Sequence, residues 1–150
     1  ERIKDEEKNW EQLANAWLSA REWKKAIPPL TKAAEMSEDG GLFLRLGQTY
    51  MQEEDWKNAE KNIRYAIKKG DLDNPGRAWL LLGITRNKKG IKFENSALFA
   101  FKRSTGYDDM EADARRWVKG IEAKQARREA ERLAAEAAEA ELADDTIYFN

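Results

Sequence analysis

Cysteine and histidine are both missing from this chain of 150 residues. Without them no zinc-finger ligand set can form, no Cys–His or Ser–His pair can activate a nucleophile, and no imidazole can act as a pH switch. The lack of cysteine leaves the compartment open, because oxidising and reducing environments both tolerate a chain with nothing to oxidise. An excess of charge of either sign is lacking too. With 27 basic and 28 acidic residues the net charge is −1, so no global field draws the chain to nucleic acid or to an anionic membrane. The longest apolar run, Ala78-Trp79-Leu80-Leu81-Leu82-Gly83-Ile84, is far too short for direct membrane insertion. No signal peptide is legible. The chain opens on Glu1 without a methionine, which points to upstream residues processed or cropped away.

What is present is charge and pattern. Hydrophobic residues make up 41% of the chain and charged residues 37%. That balance suits a thin solenoid in which every helix keeps a wet side, and the length allows one domain with a sizeable core. Three segments superpose by spacing. The first reads Trp10-x-x-Leu13-Ala14-x-x-Trp17, then Trp23, Ala26, Leu30 and Ala33. The second reads Phe43-x-x-Leu46-Gly47-x-x-Tyr50, then Trp56, Ala59, Ile63 and Ala66, at an offset of 33 throughout. The third begins Trp79-x-x-Leu82-Gly83-x-x-Arg86 at an offset of 36, and continues through Phe93, Ala97, Phe101 and Ser104. Small residues at Ala14, Gly47, Gly83, Ala26, Ala59 and Ala97 let paired helices approach, while the large apolar positions fill the space beside them.

A period of about 34 residues in this order resembles the tetratricopeptide (TPR) repeat. The expected fold is therefore all-α: a TPR-like right-handed α-solenoid of three helix pairs plus a long C-terminal capping helix. The pairs are expected over about 7–39, 40–73 and 76–107. Asp55 and Asn74-Pro75 are placed to start helices, and Lys68-Lys69-Gly70 and Lys88-Lys89-Gly90 to end them. Pro28-Pro29 falls inside the second helix and predicts a bend or broken turn there. A final helix over 108–143, capped by Asp108 or Asp109, covers the third pair through Ala114, Trp117, Val118 and Ile121. Gly120 is expected to kink or fray it.

In a TPR array the first helix of each pair lines a concave groove. The groove positions are then Glu11, Asn15 and Leu18; Leu44, Gln48 and Met51; and Leu80, Ile84 and Asn87, with Arg45 and Arg77 near the edges. An apolar floor with amide side chains suits an extended peptide or a partner helix. In the alternative, some of these residues pack against the final helix folding back, for Leu80 and Ile84 are very apolar for an open surface. TPR domains that grip the C-terminal carboxylate of heat-shock chaperones use a Lys and Asn, an Asn, and a Lys and Arg in successive repeats. Asn15 and Arg77 match that pattern, whereas Glu11, Arg45 and Leu81 depart from it, and an acid at Glu11 repels a carboxylate.

Two stretches carry a narrower resemblance: Arg21-Glu22-Trp23-Lys24-Lys25-Ala26-Ile27-Pro28-Pro29-Leu30-Thr31-Lys32-Ala33-Ala34-Glu35 and Gly70-Asp71-Leu72-Asp73-Asn74-Pro75-Gly76-Arg77-Ala78-Trp79-Leu80-Leu81-Leu82-Gly83-Ile84. They resemble bacterial TPR proteins encoded beside TonB–ExbB–ExbD energy-transduction systems. That resemblance implies a periplasmic accessory or scaffold of TonB-dependent uptake, with a protein partner and no catalytic residues. Composition alone leaves the cytoplasm equally open.

Residues Ala123 to Ala143 are rich in Ala, Glu and Arg, good helix formers laced by pairs such as Arg127/Glu131 and Arg132/Glu136. Ala123, Ala126, Ala130, Leu133, Ala137 and Ala140 alternate three and four apart, forming a small-residue seam for a homo-oligomer or partner helix. The bland alternative is a solvated extension. The tail over 144–150, Asp144-Asp145 followed by Thr146-Ile147-Tyr148-Phe149-Asn150, either docks in a neighbouring groove or is disordered. Acid pairs such as Glu53/Glu54 and Asp108/Asp109 are material for carboxylate catalysis, but they fall at helix ends, where capping and solvation explain them. The chain is thus expected to be a non-catalytic scaffold with no cofactor and no metal, or else a self-assembling module using the C-terminal helix.

Overall fold

The structure, a computed structural model, describes residues 1–149. Seven α-helices follow one another: α1 Arg2–Ser19, α2 Trp23–Met36, α3 Gly41–Gln52, α4 Trp56–Lys69, α5 Pro75–Lys88, α6 Glu94–Ser104 and α7 Glu111–Phe149. A 3-10 turn, Ile91–Phe93, leads into α6. Each helix packs on the next in sequence, and α1 with α2, α3 with α4, and α5 with α6 form the three tightest partnerships. The result is a TPR-like helical solenoid, with no strand among the described residues.

The repeat spacing works because small and large residues alternate across each pair. Ala14, Ala26, Ala59, Ala78 and Ala97 are fully buried, and Leu30, Ile63 and Phe101 fill the volume between helices. At Gly83 the backbone lies so close to Phe101 that an added Cβ would stand 2.6 Å from its ring. At Gly47 the same atom would stand 2.6 Å from Ile63.

The turns within pairs are also periodic. Arg21 (φ 57°) and Glu54 (φ 56°) take left-handed conformations at matching repeat positions. Glu22 N–H donates to Trp17 C=O and Asp55 N–H to Tyr50 C=O, at 2.9 and 3.0 Å, closing the same C-terminal motif on α1 and α3. In the third pair Gly90 (φ 119°) takes that place and the 3-10 turn follows, which absorbs the longer spacing. Asp55 accepts from Asn58 N–H at 3.1 Å and Asn74 from Arg77 N–H at 2.8 Å, as their sequence positions predict. Gly70 ends α4 at φ 80° and ψ −158°, in a region open to glycine although not the left-handed helical one.

Four expectations need correction. The first helix begins at Arg2 and not near residue 7, because the exposed Lys- and Glu-rich start adds helix formers ahead of the repeat. Helix α2 is unbroken through Pro28 and Pro29. The carbonyls left without a donor are those of Lys24 and Lys25, in an exposed first turn that water can reach. Helix α7 starts at Glu111, and Asp109 instead accepts from Asn74 Nδ2 at 2.6 Å. It then runs through Gly120, and through the tail as far as Phe149, without a boundary at 143. Asn150, the last residue of that tail, lies outside the described residues.

Candidate functional site

The predicted groove residues lie on α1, α3 and α5, and their surroundings fall into three overlapping kinds. Arg45, expected near an edge, reaches from α3 across to α1. Its guanidinium donates to Glu11 Oε1 at 3.2 Å and also to Asn15 Oδ1. Glu11, Asn15 and Arg45 therefore form one half-buried polar cluster. Beside it, Leu44 and Arg45 line a cleft of about 390 Å3 whose rim carries Glu7, Glu11, Asp39 and Asp73. Arg45 is the one cation of that cleft, and it is already committed.

Residues of the second kind are partly buried against the core clusters. Leu18 packs with Leu30, Ala33 and Leu46 between the first two pairs. Leu44 and Met51 pack against Ile63, Leu82 and Ala100. Leu80 and Ile84 join the cluster of Leu98, Phe101 and Ile121, together with Trp117 and Val118 of α7. Leu80 and Ile84 thus stay partly buried on a cluster built from α6 and α7. Asn87 lines a narrow cleft of about 210 Å3 against Trp117, Gly120 and Ile121. The third kind stays accessible: Gln48 is partly buried and Arg77 is exposed at the start of α5.

The docked part of α7 is fixed by stacking and charge. Trp117 stacks on Phe101, with ring centroids 5.2 Å apart and planes 6° from parallel. Further along, Gln125 Nε2 donates to Asn95 Oδ1 at 3.1 Å, and Arg128 pairs with the buried Glu94. Past Arg128 every described residue of α7 through Tyr148 is exposed, including Ala130, Leu133, Ala137 and Ala140 of the predicted seam. Ala123 and Ala126 are exposed as well, so the seam faces solvent along its whole length.

Sequence reasoning missed a second groove. It lies along α4 and α5, with Phe99 reaching in from α6, and measures about 700 Å3 beside Tyr65, Trp79 and Phe99. Its floor holds Glu60, which accepts from Arg86 at 3.0 Å and Lys89 at 2.5 Å. Burial alone would raise the Glu60 carboxyl, but the hydrogen bonds from Lys89 and Arg86 outweigh it and hold the group below the usual carboxylate range. Lys57, Lys61, Arg64 and Lys68 line one wall. Their spacing of four, three and four was legible as a basic stripe on one face of α4.

The acid pairs weighed for catalysis sit in turns. Glu54 is exposed at a positive-φ position, and Glu53 lies 3.8 Å from Lys24. Asp108 and Asp109 are exposed in the turn before α7.

No protein-family model matches the sequence, and no curated protein matches it. Solved structures do. The chain is similar to the Arabidopsis OM64 TPR domain at 15% identity and a TM-score of 0.69, over 81% of this chain and 98% of that one. It is similar to the N-terminal domain of stress-induced protein-1 (STI-1) from C. elegans at 20% identity and a TM-score of 0.71, with the same two coverages. It is also similar to the TPR2B domain of yeast Sti1, solved in complex with pHsp70, at 13% identity and a TM-score of 0.67, over 79% of this chain and 98% of that one. At these identities the likeness is one of fold.

Proposed function

We propose that this chain is a non-catalytic interaction scaffold that holds a peptide or partner helix on the concave face of its first two helix pairs. The observation that carries this reading is the cleft beside Leu44 and Arg45, open to solvent and walled by α1, α3 and the loop before α5. Its chemistry sets the partner. Glu7, Glu11, Asp39 and Asp73 leave an acidic rim, so a neutral or basic segment fits and a C-terminal carboxylate does not. The third pair contributes less than the spacing suggested, because Leu80 and Ile84 are partly buried against the cluster of Leu98, Phe101 and Ile121. Sites of this kind work by shape and pairing, and the acids weighed for catalysis stand apart in exposed turns.

Selection of a random peptide library on the full chain tests this directly. Recovered sequences should be enriched in Lys and Arg, and Glu11→Lys should abolish their binding. Recovery of sequences ending in acidic residues, or of none that respond to Glu11→Lys, overturns the reading.

The finer assignment is a periplasmic accessory of a TonB-dependent uptake system, and the two resembling stretches, 21–35 and 70–84, support it. Crosslinking in envelope extract should then recover a component of that system. A survey that recovers no envelope protein would sink this assignment and leave the cleft's peptide preference standing. Self-assembly through the Ala-rich seam is the second reading, favoured by the full exposure of that face.

A further inference from the structure

The geometry points to a second docking site, separate from the concave face: the groove along α4 and α5 receives the acidic C-terminal end of α7 from another copy of this chain. Lys57, Lys61, Arg64 and Lys68 form its basic wall, and among the described residues none of the four takes part in an ion pair. The acid on the floor, Glu60, is neutralised by Arg86 and Lys89, so it does not cancel that wall. Tyr65 and Phe99 are large apolar groups left exposed, and Trp79 lines the same groove with its ring edge-on to Phe99, centroids 6.1 Å apart. A groove of this make-up fits a segment that is both acidic and apolar.

The chain itself carries such a segment. Beyond Arg132 the sequence holds Glu136, Glu139, Glu141, Asp144 and Asp145 and no Lys or Arg. Interleaved with them, Leu142, Ile147 and Tyr148 are 67%, 73% and 86% exposed. Residues 1–128 carry 26 basic and 21 acidic side chains, whereas 129–150 carry one and seven, so the two parts attract across molecules. The acids also crowd the C-terminal end of α7, whose last turn has no basic residue. There they oppose the negative pole of the helix, and cations from a partner relieve that conflict. The lengths agree as well. At about 1.5 Å per residue, the stripe from Lys57 to Lys68 and the stretch from Glu139 to Tyr148 span ~17 and ~14 Å. A continuous α7 cannot fold back onto its own α4, so the occupant comes from a second copy.

Sedimentation of the full chain tests this at ionic strengths of about 0.01 M and about 1 M, between which the screening length falls from ~30 to ~3 Å. Self-association is expected at low salt and its loss at high salt. Lys61→Glu/Arg64→Glu and Glu139→Lys/Glu141→Lys should each weaken association by more than about tenfold, since like charges then meet. Mixing the two variants restores opposite charges in both contacts and should restore association. All four positions are exposed, and unchanged circular dichroism melts will show that both variants fold. A monomer at both salt concentrations overturns the proposal. So does association that ignores the groove variant but is lost on Ala130→Glu/Ala137→Glu, which would place the contact on the Ala seam. Neither result bears on peptide binding at the concave cleft, which Glu11→Lys reports.

Discussion

From Glu111 to Arg128, α7 is packed on the body of the protein; from Glu129 to Tyr148 it is exposed all round. In the first stretch Ala114 is fully buried, Trp117, Val118 and Ile121 pack in the cluster of Leu98 and Phe101, and Gln125 and Arg128 pair with the start of α6. In the second, alanines and charges surround the axis and every described residue through Tyr148 is exposed. Both are helical, for different reasons. The docked stretch is held by tertiary packing, which supplies most helical stability in folded proteins. The free stretch rests on propensity and on pairs within the helix, such as Arg127–Glu131 at 3.0 Å and Arg132–Glu136 at 2.5 Å. A helix can therefore outrun its packing. What sticks out is available to bind.

The largest effect that separates the two stretches should come from Trp117→Ala. It removes the ring stacked on Phe101 and opens the end of the solenoid, at a cost of about 3 kcal/mol. Thermal denaturation followed by circular dichroism will show the drop, while Leu133→Ala, an exposed counterpart on the same helix, should leave the midpoint unchanged. Equal effects would mean that the two stretches are not distinct. Glu94→Ala should follow, at about 1 kcal/mol, because it leaves the half-exposed Arg128 without its partner. Hydrogen exchange should then quicken around Gln125 and Arg128 and stay slow at Trp117.

How much of this contrast was legible follows from what each residue meets. The three pairs were readable because Ala14, Gly47 and Gly83 are small for a local reason that repeats: a helix crosses close by. The capping role of Trp117 and Ile121 was readable from spacing. The concave face was less so. Leu80 and Ile84 have the right register for a groove, and only tertiary packing on the cluster of Leu98, Phe101 and Ile121 decides that they are partly buried. Arg45 was placed at an edge because its register says nothing of its length, which lets it reach Glu11. The broken turn expected at Pro28-Pro29 does not occur, because proline's lost hydrogen bonds fall in the exposed first turn of α2. The basic stripe on α4 was visible in principle, yet its groove also needs Trp79 of α5 and Phe99 of α6, which packing brings together.

Gly120 is a smaller test of where packing ends. It sits inside α7 with nothing within 4 Å of an added Cβ, on the exposed side of the docked stretch. Gly120→Ala should stabilise the protein by about 0.5–1 kcal/mol, since alanine costs less backbone entropy in a helix and meets no neighbour. A lower melting midpoint would show that α7 needs flexibility at this point.

The smallest effect expected is also the sharpest divider. Ending the chain after Arg128 removes the free stretch and leaves every contact of Trp117, Ile121, Gln125 and Arg128 in place. Ending it near Gly120 would instead delete Ile121 and the Arg128–Glu94 pair, confusing the arm with its anchor. The Arg128 truncation should shift stability by less than about 0.5 kcal/mol, as exposed surface changes do. Its circular dichroism should nevertheless lose the helical signal of about twenty residues, ~30 Å of helix at about 1.5 Å per residue. Little loss of signal would mean that propensity and Arg–Glu pairs do not hold the free stretch in water, and that it becomes helical only against a partner. A large drop in the melting midpoint would mean that the arm packs on the body after all. Either result would break the division between the two stretches, and only an unchanged midpoint with lost helicity sustains it.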